Sequence, residues 1–196
     1  MNKENENNLK NIKKLLLHVC CANCLGYPFS ILKKKFDIAL FYYNPNIHPK
    51  EEYLKRLDEV KKISSFFNTT LITGRYEVKN WFNKTEKFKD EPEGRNRCIL
   101  CFQIRLEKTA QMAKKNGFEF FNTTLSVSPH KNSKIINEIG QSLANKYNIG
   151  YFYSDFKKND GFKKTLEFSK QLNIYRQNYC GCIYSIYDKY GKNAKM

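Results

Sequence analysis

Hydrophobic and polar positions along the chain alternate between two periods, which predicts strands followed by helices. Short apolar runs bounded by turn residues predict strands at residues 14–19, 37–43, 69–73, 118–123 and 150–153. Apolar positions three or four residues apart predict helices at about 25–35, 49–67, 76–88 and 98–116. A further helix is expected from a turn at 126–130 to about 147, and the remainder is expected to be helical except for a turn at 179–182.

This alternation predicts the fold class. Strands separated by helices of ten or more residues form right-handed βαβ units, so we expect one α/β domain over residues 14–196 with a doubly wound, mainly parallel sheet. The polar residues 1–13 lack apolar periodicity and are expected to be a disordered lead-in. In such sheets the active site lies beyond the carboxyl ends of the strands. Cys20, Cys21 and Cys24 follow the first predicted strand and therefore mark that position.

The apolar stretch at 15–32 superficially resembles a membrane span. It contains His18, Asn23 and Pro28 as well as cysteines, and buried polar groups are costly in lipid. Glu4 and Glu6 also disfavour an export signal. We therefore expect a cytoplasmic protein with no membrane partner, in a reducing compartment where clustered cysteines indicate metal or redox chemistry.

The charge pattern favours a polyanionic partner. The net charge is +16, but the chain is rich in both Lys and Asn, and much of the lysine can be solvated surface. Arginine is more informative, because four of the six arginines lie within a few residues of a cysteine motif. The guanidinium fork suits phosphate and base recognition, so we expect nucleic-acid contacts from this set: Arg95, Arg97, Arg105 and Arg176.

The seven cysteines fall into three groups, at 20–24, 98–101 and 180–182. Cys98 and Cys101 share a face at a predicted helix start, where the helix N-terminus and Arg97 are expected to lower their pKa values. By spacing alone, structural zinc and an iron–sulfur cluster are equally compatible. A structural zinc uses four ligands and would leave three thiols without a role, which favours the cluster.

Two arrangements stay open at this stage. Cys20 and Cys21 are adjacent, so in an extended chain their side chains point in opposite directions. Both can bind one cluster if the backbone turns sharply; otherwise one binds the cluster while the other, with Cys24, faces a second metal or the substrate. Cys180 and Cys182 flank Gly181 and favour a strained, easily reduced disulfide that relays electrons, with metal ligation as the rival interpretation.

Other side chains near these motifs have less specific roles. Aromatic residues in the set Phe102, Tyr175, Tyr179 and Tyr184 are candidates for stacking on bases, although each is equally compatible with the core. His18 is expected to be a hydrogen-bonded core residue. His48 and His130 are possible proton donors.

With these motifs assembled, the chain resembles the cobalamin-independent epoxyqueuosine reductases of the QueH family. The resemblance covers nearly the whole domain and keeps the order and spacing of its motifs. One departure is Asn23, where the family pattern usually has Pro. The segments that carry the resemblance are HVCCANC (18–24), FYYNPNIHPKEEYLKR (41–56), PEGRNRCILCFQIRL (92–106), TTLSVSPHK (123–131), DFKKNDG (155–161) and IYRQNYCGCIYS (174–185).

The resemblance implies a specific reaction and cofactor. It implies two-electron reduction of the epoxide of epoxyqueuosine at the tRNA wobble position, with loss of water, supported by an external electron donor. A [4Fe–4S] cluster would be held by Cys20, Cys21, Cys98 and Cys101. Cys180 and Cys182 would form the redox-active disulfide, and Cys24 could hold an additional mononuclear iron. The fold would be similar to nucleotide-hydrolase-like (HUP-type) domains of tRNA-thiolating enzymes.

Chemistry from the residues agrees with this and leaves the proton donor open. Opening an epoxide produces an alkoxide that a nearby acid must protonate, and His18, Tyr179 and Asp155 are the candidates. A tRNA sulfur transferase is a competing function, but it requires a Gly/Ser-rich ATP loop where this chain has CCANC. A zinc-stabilised RNA-binding module is the non-enzymatic alternative.

Overall fold

The apolar run near the start of the chain forms the central strand of a parallel sheet. A computed structural model describes residues 12–191. The strand order is β3-β2-β1-β4-β5, and every pairing is parallel. The strands are β1 (Lys13–His18), β2 (Phe36–Tyr42), β3 (Leu71–Thr73), β4 (Phe120–Thr123) and β5 (Gly150–Tyr151). Residues 1–11 of the predicted lead-in lie outside the described residues, and Lys13 belongs to β1 rather than to that lead-in.

Helices connect and follow the strands. They are α1 (Gly26–Leu32), α2 (Lys50–Phe66), α3 (Val78–Thr85), α4 (Asn96–Lys115), α5 (Ser133–Tyr147), α6 (Gly161–Gln171) and α7 (Ile183–Tyr190), with 3₁₀ turns at Ala22–Cys24, Glu86–Phe88 and Thr124–Val127. Local signals explain several boundaries. The Asn132 side chain accepts from the Lys134 and Ile135 amides and so caps the start of α5. Gly117, at a φ of 71°, follows the end of α4.

The core lies on both faces of the sheet, as a doubly wound fold requires. Alternate residues of β1 point in opposite directions: Leu16 packs in one buried cluster, and Leu15 and Leu17 pack in the other. Helices α4 and α5 cover the first face, and α1 and α2 cover the second. The structure thus confirms the predicted α/β class and the parallel sheet.

The strand register brings three loops to one edge. His18, the last residue of β1, is level with Phe41 in β2 and with Thr123 in β4. The loops that follow these strands, at residues 19–25, 43–49 and 124–132, therefore begin side by side at the carboxyl edge. The predicted position of Cys20, Cys21 and Cys24, just beyond the first strand, is confirmed.

The largest departure from the predicted elements is near the C-terminal end of the described chain. Residues 172–182 were expected to be mostly helical, but they form an irregular segment between α6 and α7. Asn173 adopts a left-handed conformation with a φ of 48°. The Tyr175 amide donates to a Glu59 carboxylate oxygen at 3.1 Å, so a side chain replaces the helical acceptor.

Smaller differences concern single elements. Helix α1 ends at Leu32, earlier than the expected 35, and Pro49 occupies the N-cap of α2 rather than its first turn. Within residues 12–191, no helix combines the length and the apolar character needed to cross a membrane. The apolar stretch at 15–32 instead forms most of β1, the cysteine loop and α1.

Candidate active site

A cavity of about 720 Å³ opens at the carboxyl edge of the sheet. Its wall combines residues that are far apart in sequence. The loop after β1, helix α4, the loop after β4 and the irregular segment before α7 all contribute. The wall includes Cys20, Cys21, Cys24, Arg105, Lys131 and Cys180. This convergence brings two of the three predicted cysteine groups to one space.

The first cysteine group forms a compact trio of sulfurs. The Cys20 and Cys21 Sγ atoms are 3.8 Å apart, and the Cys21 and Cys24 Sγ atoms are 2.9 Å apart. All three lie within 4.8 Å of one another. Cys21 itself is extended, but the 3₁₀ turn at Ala22–Cys24 folds the chain back. The turn brings Cys24 back to Cys21, and the 3.8 Å separation shows that the two adjacent sulfurs can face one site.

The trio favours one thiolate. Hydrogen bonds from the Cys21 and Cys24 thiols lower the pKa of Cys20 well below its usual value, and they outweigh the opposing effect of burial. The same coupling raises the pKa of Cys24. The Thr124 hydroxyl donates to the Cys20 sulfur at 3.3 Å and accepts from the Cys20 amide at 3.1 Å. Thiolate is the form in which cysteine binds metals.

The second cysteine group lies behind the trio. Cys101 is in the same buried cluster as Cys20, Cys21 and Cys182, and Cys98 packs against that cluster. The expectation that helix position and Arg97 lower the pKa of Cys98 was wrong. Burial raises that pKa to about 11, although the Gly94 amide donates to the Cys98 sulfur at 3.2 Å and opposes the rise.

The third cysteine group contains two free thiols. Burial raises the pKa of Cys180, and it raises the pKa of Cys182 to about 12. Cys180 lines the cavity, whereas Cys182 is buried at the N-cap of α7 and its sulfur accepts from the Ser185 amide at 3.4 Å. Gly181 between them has a φ of 133°, a conformation that favours glycine.

The arginines divide into exposed and buried residues. Arg95 and Arg176 are exposed, and Arg176 lines the cavity. Arg97 is 1% exposed: its guanidinium donates to the carbonyls of Phe88, Lys89 and Glu91 and stacks 4.6 Å from the Tyr184 ring. Arg97 is therefore turned into the protein, away from any phosphate at the surface.

The predicted histidines and aromatic residues also separate. His18 is fully buried, its Nδ1 lies 2.8 Å from the Thr123 hydroxyl, and burial lowers its pKa to about 3; the expected core role is confirmed. His130 is exposed at the cavity, and His48 is buried. Phe102 belongs to the core, while Tyr175 and Tyr184 are half-buried.

Several buried polar atoms beside the cysteines have no protein partner among residues 12–191. They are Nε of Arg105 and Oδ1 of Asn23 and Asn46, and all three residues line the cavity. Arg105 is otherwise fixed by donation to Asn44 Oδ1 at 2.6 Å. Unsatisfied buried polar atoms next to a set of soft thiol ligands fit a site that holds a further group, and thiolates suit iron–sulfur clusters and zinc.

Lys131 is a cavity residue that the sequence did not single out. Burial alone would lower the pKa of its ammonium group, but the charges of Cys180, Cys20 and Cys24 outweigh burial and raise it. The amine therefore stays charged between the first and third cysteine groups. Its only sequence signal was its position within TTLSVSPHK, one of the segments that carry the family resemblance.

Comparison with known proteins shows which family the chain belongs to. A family model described as epoxyqueuosine reductase QueH matches residues 15–188. Proteins named epoxyqueuosine reductase QueH are similar over most of the chain. The one from Staphylococcus epidermidis is 41% identical over 180 residues, 88% of this chain and 76% of that protein. The one from Thermotoga maritima is 40% identical over 185 residues, 93% of this chain and 95% of that protein.

The Acinetobacter baylyi relative is 41% identical over 180 residues, 91% of this chain and 83% of that protein. This chain belongs to the epoxyqueuosine reductase QueH family. Membership of the QueH family confirms the resemblance drawn from the motifs and identifies the chain as an oxidoreductase. All seven cysteines lie within the range that the QueH family model matches.

Proposed function

We propose that the chain is a cytoplasmic tRNA epoxyqueuosine reductase, and that the cavity at the carboxyl edge is its active site. The observation that carries the proposal is the convergence of cysteines. Cysteines from three distant segments lie in one buried cluster, and two of these segments also place cysteines along one cavity wall, in a chain of the QueH family. The product would be queuosine, at the wobble position of tRNA.

The cysteines divide into ligands and a redox pair. We assign a [4Fe–4S] cluster to Cys20, Cys21, Cys98 and Cys101. Three of these residues belong to one group of buried side chains in the core, and Cys98 packs against that group. Cys24 lies 2.9 Å from Cys21 and is our ligand for an additional mononuclear iron. When bound, iron supplies Lewis acidity and single-electron chemistry. Arg105, with its unpartnered Nε, supplies a buried cationic donor beside these sulfurs.

The reduction needs two electrons and two protons. The epoxide loses both C–O bonds, its two carbons become doubly bonded, and its oxygen leaves as water. The Cys180 and Cys182 dithiol can provide two electrons and two protons by closing to a disulfide, and both residues are free thiols in this structure. An external two-electron donor would then return the pair to the dithiol.

Other residues at or near the cavity can relay a proton to the leaving oxygen and contact RNA. Of the candidate acids, Tyr179 lines the cavity, and burial raises its pKa to about 12, which keeps the phenol protonated at neutral pH. Exposed Arg95 and Arg176 are the arginines positioned for tRNA phosphates. The net charge of +16 favours approach of a polyanion. Half-buried Tyr175, in the same segment as Arg176, is a candidate for base stacking.

Metal analysis combined with turnover tests the proposal. Anaerobically purified protein should contain about four irons and four sulfides, with further iron if the second site is filled. It should convert tRNA bearing epoxyqueuosine to queuosine. Cys180→Ser should keep its iron and lose turnover, whereas Cys98→Ser should lose iron. A colourless protein containing zinc alone, which gains no cluster on reconstitution, would instead support the RNA-binding module.

A further inference from the structure

The irregular segment that carries Cys180 is held by polar side chains from α2 and the loop before it. Glu59 accepts from the Tyr175 amide at 3.1 Å, and Glu52 accepts from the Tyr175 hydroxyl at 3.2 Å. On the other side, Asn23 of the first cysteine loop donates to the Tyr175 carbonyl at 2.6 Å. Specific hydrogen bonds therefore fix a segment that lacks its own helical bonds.

Arg56 binds the turn at the end of this segment. Its side chain is 1% exposed, and its Nε donates to Glu52 at 2.7 Å. Nη1 donates to the Cys180 carbonyl at 3.0 Å, and Nη2 donates to the Tyr179 carbonyl at 3.3 Å. The guanidinium also lies 4.9 Å from the centre of the Tyr179 ring. One side chain thus contacts the first cysteine of the pair and the residue before it.

His48 binds the other half of the turn. Its amide donates to the Gly181 carbonyl at 2.8 Å, and its Nδ1 accepts from the Ile183 amide at 3.2 Å. The Cys182 carbonyl accepts from the Ser185 hydroxyl at 2.8 Å. The four consecutive carbonyls of residues 179–182 therefore all have partners, and three of those bonds come from Arg56 and His48.

The fit around Gly181 is close. A Cβ atom at this position would lie 3.1 Å from Arg56 Nη1 and 3.1 Å from Ile47 Cγ1. The turn therefore packs directly against the guanidinium, and a methyl group at residue 181 would require Arg56 or Ile47 to shift by a few tenths of an ångström. A contact this close transmits the position of Arg56 to the backbone between the two cysteines.

We propose that Arg56 is a positioning residue for the redox pair, because it holds the turn in the conformation that carries Cys180 and Cys182 as free thiols. The inference rests on the proposed function of this pair. Arg56 acts through the turn and donates no electron or proton. Closing a disulfide across one intervening residue must change the turn that these bonds hold. We therefore expect the bonds to stabilise the dithiol relative to the disulfide and to make the pair easier to reduce.

The charge and shape of arginine are both required. Arg56 makes hydrogen bonds in three directions, to Glu52 and to two successive carbonyls. A lysine ammonium keeps the charge beside Glu52 but lacks the planar fork that reaches both carbonyls together. Arg56→Lys should therefore keep the fold and lose much of the positioning effect.

The test is the dithiol–disulfide equilibrium of the holoenzyme. Wild type, Arg56→Met and Arg56→Lys are equilibrated anaerobically in dithiothreitol redox buffers, and free Cys180 and Cys182 are quantified by maleimide labelling and mass spectrometry. We expect the constant for reducing the pair to fall at least tenfold in Arg56→Met, or about 30 mV. The kcat on modified tRNA should fall at least tenfold, with KM changed less than threefold.

A matched variant removes the same charge from the same helix without touching the turn. Lys61 is exposed and pairs with Asp58 at the surface, so Lys61→Met should behave as wild type in both measurements. If Arg56→Met does not fold, Arg56→Lys decides, with an expected decrease of threefold or more in the reduction constant. A change below twofold in the folded Arg56 variants would overturn the inference.

Parallel assays of Cys180→Ser distinguish the redox role of the cysteine pair from the positioning role of Arg56. If Cys180→Ser is inactive with intact iron, while folded Arg56 variants keep the wild-type equilibrium and kcat, the positioning role alone is wrong. If Cys180→Ser retains full turnover, the redox assignment of the pair fails, and the inference about Arg56 fails with it.

Discussion

Acidification should destabilise the protein through one buried imidazole, His48. The residue is 6% exposed and its ring packs against two aromatic rings, with centroid distances of 4.7 Å to Phe82 and 5.2 Å to Trp81. Its Nε2 donates to the Pro45 carbonyl at 3.1 Å and its Nδ1 accepts from the Ile183 amide, as a neutral ring can do. Burial lowers the pKa of His48 to about 4.

The size of the effect follows from linkage. In the unfolded chain His48 has a pKa near 6.5, so below that pH the unfolded state binds more protons than the folded state. The stabilising effect is therefore complete above pH 6.5 and is lost as the pH falls toward 4. The full loss corresponds to about 3.4 kcal/mol, of which about 2 kcal/mol is lost between pH 7 and pH 5.

The assay compares wild type with His48→Asn, whose carboxamide keeps an acceptor near the position of Nδ1. Urea unfolding is followed anaerobically at pH 7 and pH 5 through Trp81, the single tryptophan. We expect the difference in unfolding free energy between the two proteins to shrink by about 2 kcal/mol at pH 5. Other titrating groups cancel in this comparison. An identical difference at both pH values would refute the reasoning.

Three further outcomes are expected. Gly181→Ala should cost about 1–3 kcal/mol of stability and abolish turnover, since it adds a close contact to backbone strain; Gly94→Ala, with a φ of 93° and open space, should be active in the same assay. Arg97→Met should destabilise by about 3 kcal/mol without changing the salt dependence of tRNA binding, whereas Arg176→Ala should lower that slope by about one and unfold normally. Removing iron with a chelator should lower the unfolding temperature by about 5 °C or more, measured by calorimetry, and an unchanged temperature would argue against a group bound among these thiols.

The sheet could be predicted because its signals are local. The apolar runs of β1 and β2 and the long stripe of α2 depend on sequence periods that survive folding. Residues 172–178 were mistaken for helix because Tyr175 has its backbone partners in distant side chains, Glu59 and Asn23. The sequence of the segment itself contains no signal for those partners.

The site was predictable in its reactive groups and less so in their surroundings. Cysteine spacing identified three groups, and the fold brings members of all three into one buried cluster. Arginine proximity to a motif was a weaker guide. Arg95 and Arg97 both precede the same cysteine motif, yet Arg97 is buried by bonds to backbone carbonyls within residues 88–91, while Arg95 is exposed. Arg56 and Lys131 were missed because their roles depend on tertiary neighbours.

The cavity wall joins residues 20–24 to residues 176–180, and this has a consequence for biosynthesis. The turn with Cys180 is translated long after Cys20 and Cys21. At about 5–20 residues per second the interval is roughly 10–30 s. During that time the first thiols lack the wall that shields them, so we expect any group proposed for this site to be inserted only after residues 176–180 have been made and have folded against it.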